Sequence, residues 1–561
     1  MERAYAVSSG RARHGTIARR KNDSGMESYQ KRKRKIAVFD IETDPFLYGR
    51  APQAFAIGYY DGETYRDFWG DNCIAEFLDF LADQPPCYLY AHNGGRFDFY
   101  YIFQWIENPI KIINGRIVSA KIGRHILRDS YAILPVPLST FGKDVIDYRH
   151  FERGERDVYR QEILRYLRRD CTSLRSAVSE FARRFGINLT IGSVAIKELE
   201  RLHPFERRTE SHDVKFRDYY SGGRVECFKS GVVKGKWKIY DVNSMYPFVM
   251  KTFNHPTGRD YEFTTSLQEA FGSGKPFFAE IEYEHNPRIR FGALAVKGKD
   301  FVSYPGGHVR AFATSHEIRA GIECGAIPLD AYCHGAFVAV ETLRFDRFVE
   351  FWNAEKIAAG DDVAKRTFAK LILNSAYGKF GSNPAKYRDW HIWRDGEPFP
   401  ENPEWEVHSD YGFLSVLEKP ATNAPRAYLD VATAASITGA ARALLFRALC
   451  AASRPVYCDT DSIVCENLDA EIHETKLGAW KEEDSGDTIL IGGKKLYALK
   501  SRGEFVRVKA KGVELTGQEI ERIVLGGEIE YRRDAPTFRL GGTTEFLTRR
   551  IKSTIRKPSR G

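Results

Sequence analysis

The chain has few cysteines, nine in 561 residues, and no two of them show CxxC spacing. That spacing excludes a zinc ribbon, and a chain this long has no need of a disulfide scaffold; reduced thiols in a cytosolic setting are the expectation. Long hydrophobic runs are missing too. The uncharged stretch Val431 to Ala441, 11 residues, falls well short of the ~20 residues that cross a bilayer, and a mean hydropathy of −0.42 argues against an integral membrane protein. No apolar segment of signal-peptide kind follows the basic first residues.

Acidic residues are nearly absent from the two ends. Residues 1–35 hold 11 Lys/Arg against Glu2, Asp23 and Glu27, and residues 549–561 hold six Lys/Arg and no acid, whereas the formal charge of the whole chain is only +9. The body between them is therefore slightly acidic. Any channel for a polyanion there must come from segregated basic patches, while the ends, including Lys31 to Lys35, read either as salt-sensitive phosphate contacts or as a disordered solubilising tail. Hydrophobic residues make up 43% and aromatics 13%, enough to build several packed cores, so three or more domains are expected.

What the chain does contain is carboxylates in pairs and triplets. Ile36 to Thr43 reads as a buried strand whose alternation puts Asp40 and Glu42 on one face. A second strand, Tyr88 to Asn93, runs into Gly94-Gly95-Arg96-Phe97-Asp98, and helical spacing stacks Tyr166 over Asp170. Singly, each acid reads as a surface charge or a cap. Four carboxylates converging on one spot would repel unless cations neutralised them, which suggests two bound metals activating water, with Tyr166 orienting that water and Lys143 neutralising developing charge.

A second set lies downstream. Asp241 ends a strand in Asp241-Val242-Asn243-Ser244-Met245-Tyr246-Pro247, and Tyr457-Cys458-Asp459-Thr460-Asp461-Ser462 presents two more carboxylates at a hairpin. Alone, Asp-Thr-Asp is more often a polar turn; with Asp241 it becomes a triad able to hold two metals against a triphosphate. Backbone N–H groups after Asp241, those of Val242, Ser244 and Met245, are placed to cradle phosphates. Tyr246 reads as a platform beneath a sugar that excludes a 2′-hydroxyl, or as a core aromatic. Between these strings, Val363 to Lys379 is helical by period, and Arg366, Lys370, Asn374 and Tyr377 share one face, suited to a triphosphate and a base. Gly378 then allows close approach. Lys356 reads as a phosphate contact or a solvated lysine.

In this order the first set resembles the 3′-to-5′ exonuclease domain of family B DNA polymerases, and DVNSMYP, KLILNSAYG and YCDTDS resemble that family's motifs A, B and C. One departure is that three residues, not two, separate Asn93 from Phe97. The resemblance implies a multidomain α/β and α+β fold: an RNase H-like exonuclease domain followed by a right-hand core of palm, fingers and thumb with two insertions. It implies template, primer or single-strand contacts for Thr43, Asn93, Phe97, Tyr220, Gly222, Gly223, Gly378, Thr460, Lys495, Tyr497, Lys509 and Lys511. It also implies Mg²⁺, two per site, with Mn²⁺ as a substitute. The exonuclease pair would be held by Asp40, Glu42, Asp98 and Asp170, and the polymerase pair by Asp241, Val242, Asp459 and Asp461.

The motif spacing resembles the protein-primed branch of small phages, adenoviruses and linear plasmids. The expected division is a tail at 1–35, exonuclease domain 36–188, palm 189–254 and 427–513, a first terminal-protein region 255–345, fingers 346–383, a second terminal-protein region 384–426, and thumb with basic end 514–561. Template-primer DNA, dNTPs, a terminal priming protein and a single-stranded DNA-binding protein are the implied partners of a monomer in the cytoplasm, the host's if viral, with no membrane association. The alternatives are a primer-independent relative with primase activity and a non-catalytic DNA-binding derivative; retention of all seven carboxylates disfavours the latter.

Overall fold

The computed structural model describes residues 34–142, 144–204, 215–422, 429–540 and 544–554. Lys143 and most of the basic ends lie outside them, as does the Gly541-Gly542 turn expected in the thumb.

The first strand, Lys35–Thr43, is buried along most of its length and lies antiparallel to Ala54–Tyr60 and parallel to Cys87–Ala91, which is in turn parallel to His125–Asp129. The helix Arg160–Phe185 covers this sheet. Gly58 is the point of closest approach: a Cβ there would meet Cys171 Sγ and Leu167 Cγ at 2.9 Å. A mixed sheet buried on both faces calls for near-continuous apolar strands, and Ala37, Val38, Phe39 and Ile41 supply one.

This sheet has ten strands, and three of them come from residues expected to form an insertion nearly 300 positions later. Strand Arg388–Arg394 pairs with Glu107–Ile113, and Leu414–Pro420 and Glu406–Asp410 extend the sheet beyond it. The Asn108 side chain clamps the junction, donating to Ile392 O at 2.7 Å and accepting from Ile392 N at 2.8 Å. Ile392, Leu414 and Val416 are buried in the same core as Phe39 and Leu89.

A seven-stranded antiparallel sheet forms the palm. Its central strand, Gly231–Val242, lies between Trp480–Gly493 and Ser462–Cys465, so Asp241 sits opposite Ser462 at the end of the motif C hairpin. The first insertion folds as a four-stranded sheet whose strand Phe277–Glu284 has the bounds that its alternation predicts.

The uncharged run Val431 to Ala441 is only the first half of a longer element. It belongs to a helix, Val431–Ala451, of 21 residues, long and apolar enough by composition to cross a membrane, yet its most apolar stretch is 78% buried inside the protein. The run ends at Arg442. That arginine is buried with its charge met by Glu317, so the helix continues through the core.

The fingers helix is Val363–Phe380, capped by Asp362, whose side chain accepts from Lys365 N. Phe368, Ala369, Ile372, Leu373 and Ala376 face inward, leaving Arg366, Lys370 and Asn374 exposed on the other side. Helix Ile191–Leu202, expected with the first palm segment, packs on it. At the C-terminal end, Phe538 returns to the first domain and its ring meets those of Phe97, Tyr100 and Tyr101.

Candidate active sites

Two acidic sites stand apart on the two large sheets. In the first, carboxylate oxygens of Asp40, Glu42 and Asp170 lie within 4.8 Å of one another. Asp40 and Glu42 share a strand face, and the covering helix brings in Asp170. The fourth acid, Asp98, is buried behind them, where its Oδ1 accepts from Ile41 N at 3.1 Å. Burial, and then the nearby Asp40, push the Asp98 carboxyl well above the usual range. Hard oxygen donors so close together fit Mg²⁺ or Mn²⁺.

These acids line a cleft of about 1010 Å³ that also takes in Thr43, Asn93, Phe97 and Tyr166. Tyr166 is within hydrogen-bond distance of Tyr148, hydroxyl to hydroxyl, at 3.2 Å. Asn93 adopts a left-handed conformation, φ 63°, at the start of the extra-residue loop. The sequence reading did not find Tyr148 or Arg116, which line the same cleft, nor Arg533 and Thr537, which approach it from the C-terminal end.

The palm site is arranged differently. Alternation stops at Asp459, because Thr460 turns the chain with φ 59°. Val242 N then donates to Asp461 O at 2.9 Å, locking motif A to motif C beside Asp241. Burial, followed by Asp461 and then Glu483, pushes Asp241 up to about 7. Asp461 is raised by burial first and by Asp459 next. Asp459 receives Lys495 Nζ on both oxygens at 2.7 Å. Lys495 therefore occupies a place where the sequence suggested a strand contact. Lys511 N donates to Lys495 O at 3.1 Å, and Lys509 lies opposite Tyr497 in the ladder, close enough to Asp241 to offset part of its shift.

The loop Tyr220 to Gly223 supports this hairpin. Thr460 N donates to Arg224 O at 2.7 Å, and a Cβ on Gly223 would come within 2.6 Å of Thr460 Oγ1. Tyr220 in turn packs on Gly381 at the end of the fingers helix. Gly222 and Gly378 have open space around them.

Ser244, left-handed at φ 53°, opens the helix Met245–Thr252. Tyr246 from that helix stacks on Tyr377 of the fingers, ring centroids 4.1 Å apart and nearly parallel at 13°. Lys356 is half-buried, and burial together with Lys370 lowers its pKa, so the two ammonium groups are neighbours. Arg366 bonds the carbonyl of Gly360. Glu483, absent from the sequence reading, holds Arg507 beside the palm acids; it is one of three consecutive acids in Glu482-Glu483-Asp484, which alternation alone does not rank.

A mixed α/β sheet with an acidic cleft, joined to an antiparallel palm and a helix that exposes cations on one face, defines a right-hand polymerase with an exonuclease-like domain. The family model described as DNA polymerase type B, organellar and viral, matches residues 143–471, and the chain belongs to that family. It is 40% identical to the DNA-directed DNA polymerase of Enterobacteria phage PRD1, over 93% of this chain and 98% of that one. Against the DNA polymerase of Bacillus phage phi29 the identity is 23%, over 92% and 93%. The fold is that of phi29 DNA polymerase: its complex with primer-template DNA and incoming nucleotide aligns with a TM-score of 0.70 at 19% identity, covering 93% of this chain and 100% of that one.

Proposed function

We propose that the chain is a DNA-directed DNA polymerase that extends a 3′-hydroxyl at the palm and removes mispaired 3′-ends at the N-terminal cleft. The observation that carries this reading is the pairing of two separate carboxylate sites in one chain, the first with donors close enough for divalent cations.

At the palm, Asp241, Asp459, Asp461 and the Val242 carbonyl would hold the ions; at the cleft, Asp40, Glu42 and Asp170 would, with Asp98 behind them. Bound there, divalent cations would supply Lewis acidity toward phosphoryl oxygens and lower the pKa of an attacking hydroxyl or water. The protein's own groups do the rest. Arg366 and Lys370 neutralise the triphosphate, and the backbone after Asp241 donates to it. Tyr246, braced by Tyr377, forms the floor beneath the sugar and excludes a 2′-hydroxyl. Lys495 leaves Asp459 for the primer strand when DNA enters, and Tyr497, Lys509 and Lys511 follow the backbone. In the cleft, Tyr166 and Lys143 orient water and neutralise charge on the scissile phosphate, while Thr43, Asn93 and Phe97 hold the frayed end.

The spacing further supports initiation on a hydroxyl of a terminal protein docked at residues 255–345, with strand displacement aided by residues 384–426 and a single-stranded DNA-binding protein, in the cytoplasm of a bacterial host. Primer-independent initiation is the second reading. Asp459→Ala or Asp241→Ala should abolish Mg²⁺-dependent primer extension and leave degradation intact, and Asp40→Ala with Glu42→Ala should do the reverse. Extension surviving both palm variants would refute the assignment. Comparing incorporation on bare template, primed template and template with a terminal protein tests initiation; activity on primed template alone would exclude both readings of it.

A further inference from the structure

The loop Asn93-Gly94-Gly95-Arg96 carries one residue more than its family pattern, and its seating shows how that residue is accommodated. Gly95 presses directly on the strand Arg116–Ile122: a Cβ there would collide with the carbonyl of Ile117 and approach Asp129 Oδ2 at 2.9 Å. Arg96 Nη2 donates to Asn114 O at 3.0 Å, tying the loop's far end to the same hairpin. The residue thus brought beside Asn93 is Arg116. Its Nη1 donates to Asn93 Oδ1 at 2.8 Å and to Asp129 Oδ2 at 2.5 Å, and its guanidinium lies 4.7 Å from the centre of the Tyr131 ring.

Asp129 is an anchor rather than a surface partner. Its side chain is fully buried, and besides Arg116 it accepts from Tyr131 N at 2.9 Å. A planar fork held by a buried carboxylate and an aromatic face has little freedom left, so it fixes whatever else it bonds. What it bonds is the amide oxygen of Asn93. With Oδ1 engaged, the NH₂ end of Asn93 is the end able to donate toward the cleft that holds Asp40, Glu42 and Asp170. The backbone of Asn93, left-handed at φ 63°, caps the short 3-10 turn Gly94–Arg96, and Arg116 holds its side chain.

We propose that Arg116 is a positioning residue of the exonuclease cleft, orienting Asn93 so that its amide NH₂ meets an oxygen of the 3′-terminal nucleotide. This rests on the exonuclease reading given above. The interaction acts on binding of the single-stranded end and not on the bond-breaking step, so it belongs in KM.

The test is steady-state degradation of a single-stranded oligonucleotide by the full chain, with primer extension as the control for folding. Arg116→Met should raise KM about tenfold, the scale of one charge-assisted hydrogen bond, with kcat within about twofold. Arg116→Lys keeps the charge but loses the planar guanidinium that lies against the Tyr131 ring and fixes the Nη1 position, and should raise KM in the same direction. Combined with Asn93→Ala, Arg116→Met should add nothing further, because both changes remove one interaction. Additive effects, an unchanged KM, or a fall in kcat alone would overturn the inference. If Arg116→Met also lost primer extension, Arg116→Lys would decide the matter by the same criteria. A wild-type chain that degraded no DNA would instead refute the exonuclease reading itself.

Discussion

Tyr246 and Tyr377 stack face to face, 4.1 Å between ring centroids, although one belongs to the palm helix and the other to the fingers. Each ring is braced by the other, so the floor proposed beneath an incoming sugar would be built by two subdomains at once.

Replacing Tyr246 with alanine should therefore raise the KM for dNTPs by about three- to tenfold, the scale of an aromatic pair, while Tyr246→Phe keeps the stack and the KM. Single-nucleotide incorporation over a range of dNTP concentrations measures this. Equal KM values for the two variants would mean the stack has no part in nucleotide binding.

Gly223 lies where no side chain fits. A methyl group there would meet Thr460 Oγ1 at 2.6 Å and Thr460 Cγ2 at 2.7 Å, pushing the turn between Asp459 and Asp461. Gly223→Ala should cut primer extension by tenfold or more and leave degradation by the N-terminal cleft near the wild-type rate. Parallel assays of the two activities on one preparation check it; an equal loss of both would point to a general folding defect.

Stability should carry a histidine signature below neutrality. His255, wholly buried, and His316, half-buried, flank Ser436 Oγ at 2.9 and 3.2 Å, and burial lowers their pKa values to about 4 and about 3. In the unfolded chain they titrate near 6.5. As pH falls from 6.5 toward 4, the unfolded state takes up protons that the folded state refuses, so their contribution to stability is complete above 6.5 and declines through that window. The raised carboxyls of Asp98, Asp241 and Asp461 act with the opposite sign, the folded state there holding protons that the unfolded state releases. The comparison must therefore be between wild type and His316→Gln. The difference in denaturant midpoint between pH 7 and pH 5 should be smaller for the variant; an identical difference would show that His316 does not stay neutral in the folded chain.

The candidate carboxylates were legible because they sit where local periodicity changes, and the structure brings Asp40, Glu42 and Asp170 together. The strand ending at Thr43, the strand Phe277–Glu284 and the helix beginning at Val363 follow directly from spacing of two or of 3.6. What spacing does not carry is pairing between distant segments. Nothing local in residues 388–420 indicates that they join a sheet begun at Lys35, since the contact depends on Asn108 meeting Ile392. Nor could sequence reveal that Lys495 rests on Asp459, that Glu483 adds to the palm's negative charge, or that Arg442 is a core residue. In each case the partner lies far along the chain, and a charged residue reads as exposed until its counterion is placed beside it.

The shared ten-stranded sheet has a consequence for how the chain can be cut. A fragment ending near residue 188 would retain every acid of the N-terminal cleft, yet Glu107–Ile113 would become a bare margin with unpaired backbone groups, open to the next molecule. The covering hairpin is encoded after the fingers, so a nascent chain leaving the ribosome waits for more than half its length before that margin closes. The two proposed activities should separate by point substitution, but the sheet beneath the first site is finished by strands encoded within the half that carries the second.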